Sequence, residues 1–387
     1  MNEGKLIFSQ LLYFLPKREF RRLVEKYNGD KGIITFSCWD QFLCMAFAQL
    51  TYRESLRDIE ICLNAFDKKL YHAGIKGNIS RSTLAYANNK RNWKLYHDFA
   101  QVLIKEAKKL YIDEPFGVEL DETVYALDAS IITLCLSIFP WAKYSKQKAG
   151  IKMHTQIDLR GNIPVFIDIT EAKTSDVSVF DDLILESGAI YIMDRGYVDF
   201  KRLYRFVEEC CFFVIRAKKD IVFRRVCSNP HEKGTGVCSD QTIILTSRDS
   251  KKNYPAKLRR IRYFDKEQKR FFVFLTNNFE LPAKTIADLY KCRWQIEIFF
   301  KWIKQHLRIK VFFGTSENAV KTQIWIAISI YVLVAIIKKK LKITKSLYNI
   351  LQVLSVSLFE KMPIFTVFED TDHARAHDMQ GKQLKLL

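Results

Sequence analysis

Between residues 116 and 217 the hydrophobic rhythm of the chain runs through a fixed succession of strands and helices, and no other feature limits the fold as much. "GVELDETVYALDASII" and "KMHTQIDL" read as strands, and "RGN" turns the chain into a third, "IPVFIDIT". "VSVFDDLILES" then reads as a helix, "AIYIMD" as a fourth strand, "FKRLYRFVEEC" as a second helix and "CFFVIRA" as a fifth strand. The order predicts an α/β core on a mixed five-stranded sheet with helices.

Three strands followed by helix, strand, helix, strand is a ribonuclease-H-like order, in which chemistry sits where neighbouring strand ends bring carboxylates together. The flanks differ in kind. Residues 1–115 are helical, with a 3.6-residue apolar repeat in "CWDQFLCMAFAQLTYRESLRDIEICL" and again after a cap signal at Ser80. Within this segment Ser82, Thr83, Asn88, Asn89, Lys90 and Arg91 resemble the recognition element of a helix-turn-helix, and equally a solvated basic helix. Residues 1–115 are therefore expected to form an N-terminal DNA-binding domain and 116–217 the first part of the core. Residues 218–282 read as a basic, β-rich insertion, 283–313 as the last core helix, and 314–387 as a helical C-terminal region ending in a polar tail.

Charge narrows the partner. Lys and Arg number 62 against 43 Asp and Glu, a formal net charge of +19, and a field of that sign attracts nucleic acid. The longest apolar run, "IWIAISIYVLVAII" from Ile324, is 14 residues, short of the ~20 of a spanning helix. It reads as a buried core helix, so no membrane is expected. The N-terminus has no leader pattern, and the nine cysteines form no C-x-x-C framework, which fits a reducing cytoplasm. Cys227, His231 and Cys238 lack a fourth zinc ligand at usual spacing, and His373 with His377 stands in the polar tail.

The stretch "LYKCRWQIEIFFKWIKQ" (289–305) places one acid among bases on an otherwise greasy helix. At about 100° per residue, Tyr290, Arg293, Glu297, Lys304 and Arg308 share an arc of roughly 60°. Lys301 lies beside that stripe and Trp294 at its edge, while Ile296, Ile298, Phe299, Phe300, Trp302 and Ile303 fill most of the remainder. An Arg293–Glu297 pair at i,i+4 is worth only a few tenths of a kcal/mol and leaves the rest of the stripe unexplained, whereas a cleft-lining stripe explains it. Two strands offer partners for Glu297. Asp128 in "YALDAS" sits in an apolar strand where an unpaired carboxylate is costly, and Asp194 in "YIMDRGY" ends another before a glycine turn. Together the three acids make a plausible site for two Mg²⁺ or Mn²⁺ ions ~4 Å apart.

These residues carry a resemblance. Tyr290, Arg293, Glu297 and Lys304 follow the spacing Y-x2-R-x3-E-x6-K, the signature of the insertion-sequence-4 type of bacterial DDE transposases. "LDAS", "DRGYVDF" and "RWQIEIFFKWIK" are similar to that family, and "KREFRRLVEKYNGDKGIITFSCWDQFLCMAFAQLTYRESLRDIE" resembles the N-terminal domain of its Bacteroides-type members. The resemblance covers roughly residues 10–345. It implies that Asp128, Asp194 and Glu297 are the catalytic, metal-holding triad, and that Tyr290, Arg293 and Lys304 contact phosphates near the cleaved end. It further implies a dimer acting on two paired DNA ends, cleavage through a hairpin, and joining of 3′ ends to target DNA. A flipped base would stack on Trp294 and on Phe271 or Phe272. The expected protein is a cytoplasmic, nucleoid-associated DNA transposase; the alternatives are a catalytically silent DNA-binding regulator and a nuclease that cuts without joining.

Overall fold

The computed structural model describes residues 4–75, 77–306 and 311–368. The chain forms two compact units, Met1–Leu110 with Trp302–Leu387, and Tyr111–Lys301.

The first unit opens with helices α1 (Ile7–Leu11), α2 (Lys17–Lys26), α3 (Cys38–Leu50), α4 (Leu56–Asn64), α5 (Asp67–Leu70), α6 (Arg81–Lys90) and α7 (Lys94–Leu110). Helix α3 starts at a capping box: the Ser37 hydroxyl accepts from the Asp40 N–H, and the Asp40 carboxylate accepts from the Ser37 N–H. On α6 the side chains of Ser82, Thr83, Asn89 and Lys90 are exposed, but Asn88 and Arg91 are buried. Asn88 accepts from Gln41 Nε2 at 2.7 Å, and Arg91 Nη1 donates to Gln41 Oε1 at 3.0 Å. Those two members of the expected recognition element therefore serve the helical core.

In the second unit the strands are β1 (Val124–Leu134), β2 (Ala149–Asp158), β3 (Ile163–Glu171), β4 (Ile190–Met193), β5 (Phe212–Arg216), β6 (Phe223–Ser228), β7 (Val237–Leu245), β8 (Leu258–Asp265) and β9 (Arg270–Thr276). They form one sheet in the order β3-β2-β1-β4-β5-β9-β8-β7-β6. Strands β1, β4 and β5 are parallel, and the other pairings are antiparallel. The first five strands thus lie together, as the mixed sheet expected. The β-rich stretch is no separate layer, because β9 pairs with β5 (Val214 opposite Thr276) and extends the same ladder. The expected helix in "VSVFDDLILES" shrinks to a 3₁₀ segment, Asp176–Asp181.

Helix α8 (Phe200–Glu208) makes the crossover from β4 to β5 and buries Leu203 and Phe206 against Tyr191, Met193 and Phe213 on one sheet face. The short α9 (Arg248–Asn253) follows β7. On the other face α10 (Ala283–Cys292) packs on β4 and β5. The single helix expected from residue 283 onward is two, α10 and α11 (Trp294–His306), with Arg293 between them. At this joint Arg293 N–H donates to Tyr290 C=O at 3.1 Å and Ile296 N–H to Arg293 C=O at 3.2 Å, i→i−3 bonds that tighten one turn. Arg293 keeps helical dihedrals, φ −55° and ψ −29°, so the polar stripe continues past the break. Ile298, expected on the apolar face, is 43% exposed.

The first unit is completed by α12 (Glu317–Lys340) and α13 (Leu347–Ser357). Helix α12 is long and apolar enough to cross a membrane, but 94% of its most apolar window is buried inside the protein, where it packs on α7, α3 and α6. It is the core helix that the apolar run predicted.

Candidate active site

Strand register brings the first two acids side by side. In the parallel β1/β4 pair Leu127 stands opposite Met193, so the next residue on each strand is Asp128 and Asp194. Asp128 lies where β1 passes from a fully buried to a half-open stretch. Its carboxylate accepts from the Ala129 N–H at 2.8 Å and from Arg293 Nη1 at 3.0 Å. Burial pushes its carboxyl up to about 6; the Ala129 N–H and the Arg293 charge oppose this, while Glu297 and Asp194 add to it.

Asp194 follows the last residue of β4. Its carboxylate accepts from the Tyr290 hydroxyl at 2.9 Å. Burial raises this carboxyl too, but the Arg195 N–H, Tyr290, and the charges of Arg293 and Arg216 outweigh it and hold it below the ordinary carboxylate value. Tyr290 is fixed by packing: its ring centroid is 4.7 Å from Phe274 and 6.2 Å from Phe272, both on β9. Burial, then the adjacent Asp194, pushes its phenol up, so it stays a hydrogen-bond donor.

The third acid faces the other two across Arg293. One guanidinium nitrogen of Arg293 donates to Asp128 and the other to Glu297. The Arg293 side chain is 16% exposed and that of Glu297 57%. Burial lowers the guanidinium pKa, but Tyr290, Asp128 and Glu297 more than compensate, so it remains charged. Three carboxylates thus gather around one cation. Hard oxygen donors of this kind suit a divalent ion of the Mg²⁺ or Mn²⁺ type. As the side chains stand, no group of three Asp, Glu, His or Cys among the described residues is placed to hold a metal, and Arg293 supplies the counter-charge.

Beside Glu297 lies a hollow of about 210 Å³, lined among others by Trp294, Phe272, Arg216 and Arg270. Trp294 is 54% exposed. Of the two phenylalanines left open by the sequence, Phe272 lines this hollow, whereas Phe271 points to the opposite sheet face under the Arg262 guanidinium, 4.3 Å from its ring centroid. Lys301 is exposed on α11; Lys304 belongs to the first unit, and Arg308, His373 and His377 lie outside the described residues. Arg216, at the end of the third parallel strand, was missed by sequence reasoning. Its signal was present, since "CFFVIRA" ends a strand next to the one that ends at Asp194. His154 is a core histidine: it is buried, with Nε2 3.0 Å from the Thr170 hydroxyl.

Residues 119–333 match the family described as the transposase DDE domain, and residues 3–76 match a domain of unknown function. The chain is 35% identical over 232 residues to a Sinorhizobium fredii protein described as transposase y4zB, covering 59% of this chain and 64% of that one. It is 34% identical over 207 residues to a protein of Geobacillus stearothermophilus described as the transposase of insertion sequence element IS5377, covering 54% of each. A Synechocystis protein described as the transposase of element IS4SA is 26% identical over 265 residues, covering 66% of this chain and 71% of that one. The chain thus spans less than two thirds of the first two relatives.

Proposed function

On the premise that the chain belongs to the DDE transposases of the insertion-sequence-4 type, we propose that it cuts the ends of its own DNA element and joins them to target DNA. The observation that carries this reading is the convergence of Asp128, Asp194 and Glu297 on Arg293 and Tyr290. Asp128, Asp194 and Glu297 would hold two Mg²⁺ or Mn²⁺ ions. Bound there, such ions supply a reactive oxygen for attack and stabilise the 3′ oxygen that leaves.

The chain's own groups have distinct tasks in this reading. Asp128, whose ionisation is costly in its buried setting, gains most from a neutralising cation. Tyr290 keeps Asp194 oriented and ionised through its hydroxyl. Arg293 holds the acids together before DNA arrives and then turns its fork to a phosphate flanking the cut, a geometry that guanidinium and phosphate share. Lys301, Lys304 and Arg308 add phosphate contacts. Trp294 and Phe272, on one hollow, would stack a base displaced during hairpin formation. The ribonuclease-H-like order of β1–β5 supplies the frame, and the N-terminal helices would grip the element ends, with two copies of the chain pairing the two ends.

The test uses purified protein and labelled duplexes carrying the element's ends, with and without Mg²⁺. Hairpinned or joined products support the proposal. Tight end binding without cutting would replace it by a silent regulator, and cutting without joining by a nuclease.

A further inference from the structure

A second cavity, of about 300 Å³, opens on the sheet face away from α10. Val273, Leu275 and Ile243 form its floor, and along a strand these alternate with the residues that face α10. Its wall is cationic: Arg195, Lys218, Lys219 and Arg260, with no carboxylate in the lining; Arg216 borders it too, but its guanidinium lies over the Phe272 ring, 5.2 Å from its centroid, on the face that carries α10. None of these four makes a salt bridge among the described residues. Lys218 donates to the Val198 C=O at 3.1 Å and Arg260 to the Gln241 side-chain oxygen at 3.3 Å, both neutral acceptors. Arg260 sits over the Phe223 ring, 5.0 Å from its centroid; burial and then Arg262 lower its guanidinium pKa. Four cations without a carboxylate partner around one hollow repel each other, and an anion would relieve that cost.

Two residues border both this cavity and the candidate active site, from opposite faces of the sheet. Arg195 follows Asp194 directly, and Arg216 lines both this cavity and the hollow beside Glu297. A duplex cannot enter a space of this size, but a phosphate with its sugar can. We propose that this cavity is a second phosphate seat, which holds a backbone phosphate of a single DNA strand as it leaves the acids around the edge of the sheet. The inference rests on the transposase reading for its ligand, and on the cavity alone for its place. Two sources share the chemistry: an internal phosphodiester, or the 5′-terminal phosphate that strand cleavage leaves.

The probe is a fluorescent 12-nucleotide single strand, with either a 5′-phosphate or a 5′-hydroxyl, titrated by anisotropy against the full chain. Arg260→Gln is expected to weaken binding about tenfold, with a salt slope shallower by about 0.7, while Arg260→Lys keeps the slope. Lys219→Gln, at an exposed position, is expected to weaken binding in the same direction and covers the case in which Arg260→Gln does not fold. Loss confined to the 5′-phosphate probe assigns the terminal phosphate; equal loss on both assigns the internal one. Unchanged affinity in Arg260→Gln and Lys219→Gln, with wild type binding well, overturns the cavity assignment alone. Wild type that binds neither the single strand nor duplex ends overturns the DNA reading beneath it.

Discussion

Replacing Asp128 by Asn should make the metal-free protein more stable at neutral pH, by an amount that depends on pH in a defined way. The folded protein holds this carboxyl at about 6 against an ordinary 3.8. At about 1.4 kcal/mol per pKa unit that difference is worth ~3 kcal/mol. The sign follows from linkage. Below pH ~4 the carboxyl is protonated in both states and costs nothing. Between pH ~4 and ~6 the unfolded chain ionises while the folded protein keeps its proton, so stability falls as pH rises. Above pH ~6 the full cost is present and the curve flattens. The isosteric amide carries no such cost, so the stability gap between variant and wild type should open by ~3 kcal/mol from pH ~4 to pH ~7.5. For a unit the size of Tyr111–Lys301 this is a shift in Tm of about 6–12 °C. Thermal unfolding of both proteins in EDTA across this range reads it directly. Adding Mg²⁺ at the upper end should then stabilise the wild type and not the variant, since only the native acid set gains from the ion. Parallel stability curves in EDTA would refute the claim that Asp128 is buried at a cost.

Three further outcomes are expected. Glu297→Gln should abolish strand cleavage in Mg²⁺ while end binding persists, because a carboxylate among metal ligands serves chemistry more than phosphate contact; cleavage at the wild-type rate would remove Glu297 from the site. DNA binding should fall by about a thousandfold between 50 and 200 mM salt if some six phosphates are neutralised, as a net charge of +19 suggests, and a flat salt profile would argue against a nucleic-acid partner. Asp240→Ala should destabilise the second unit by about 3–5 kcal/mol, since it strands Arg259, whose guanidinium grips both Asp240 oxygens in the core of the sheet extension with side chains 7% and 0% exposed; a loss under ~1 kcal/mol in urea unfolding would show that the pair contributes little.

Much of the plan was legible one residue after another, because it depends on local pattern. The period-two runs marked β1–β5 in order, the 14-residue apolar run marked the buried α12, and the wheel placed Tyr290, Arg293 and Glu297 on one narrow stripe. What pattern cannot reach is pairing between distant segments, and there the tertiary structure decided. Asp128 and Asp194 are neighbours because Leu127 pairs with Met193, a register set by packing on both sheet faces. The basic β stretch extends the sheet because β9 finds the open edge of β5. Phe271 and Phe272 are equivalent as letters, yet one faces the Glu297 hollow and the other the far face, since direction alternates along a strand once its register is fixed. Asn88 and Arg91 look like readers of DNA until Gln41 and Tyr96 claim the same helix face for a buried network. And the polar stripe becomes a candidate site because Arg293 stands where it grips acids 165 and 4 residues away at once.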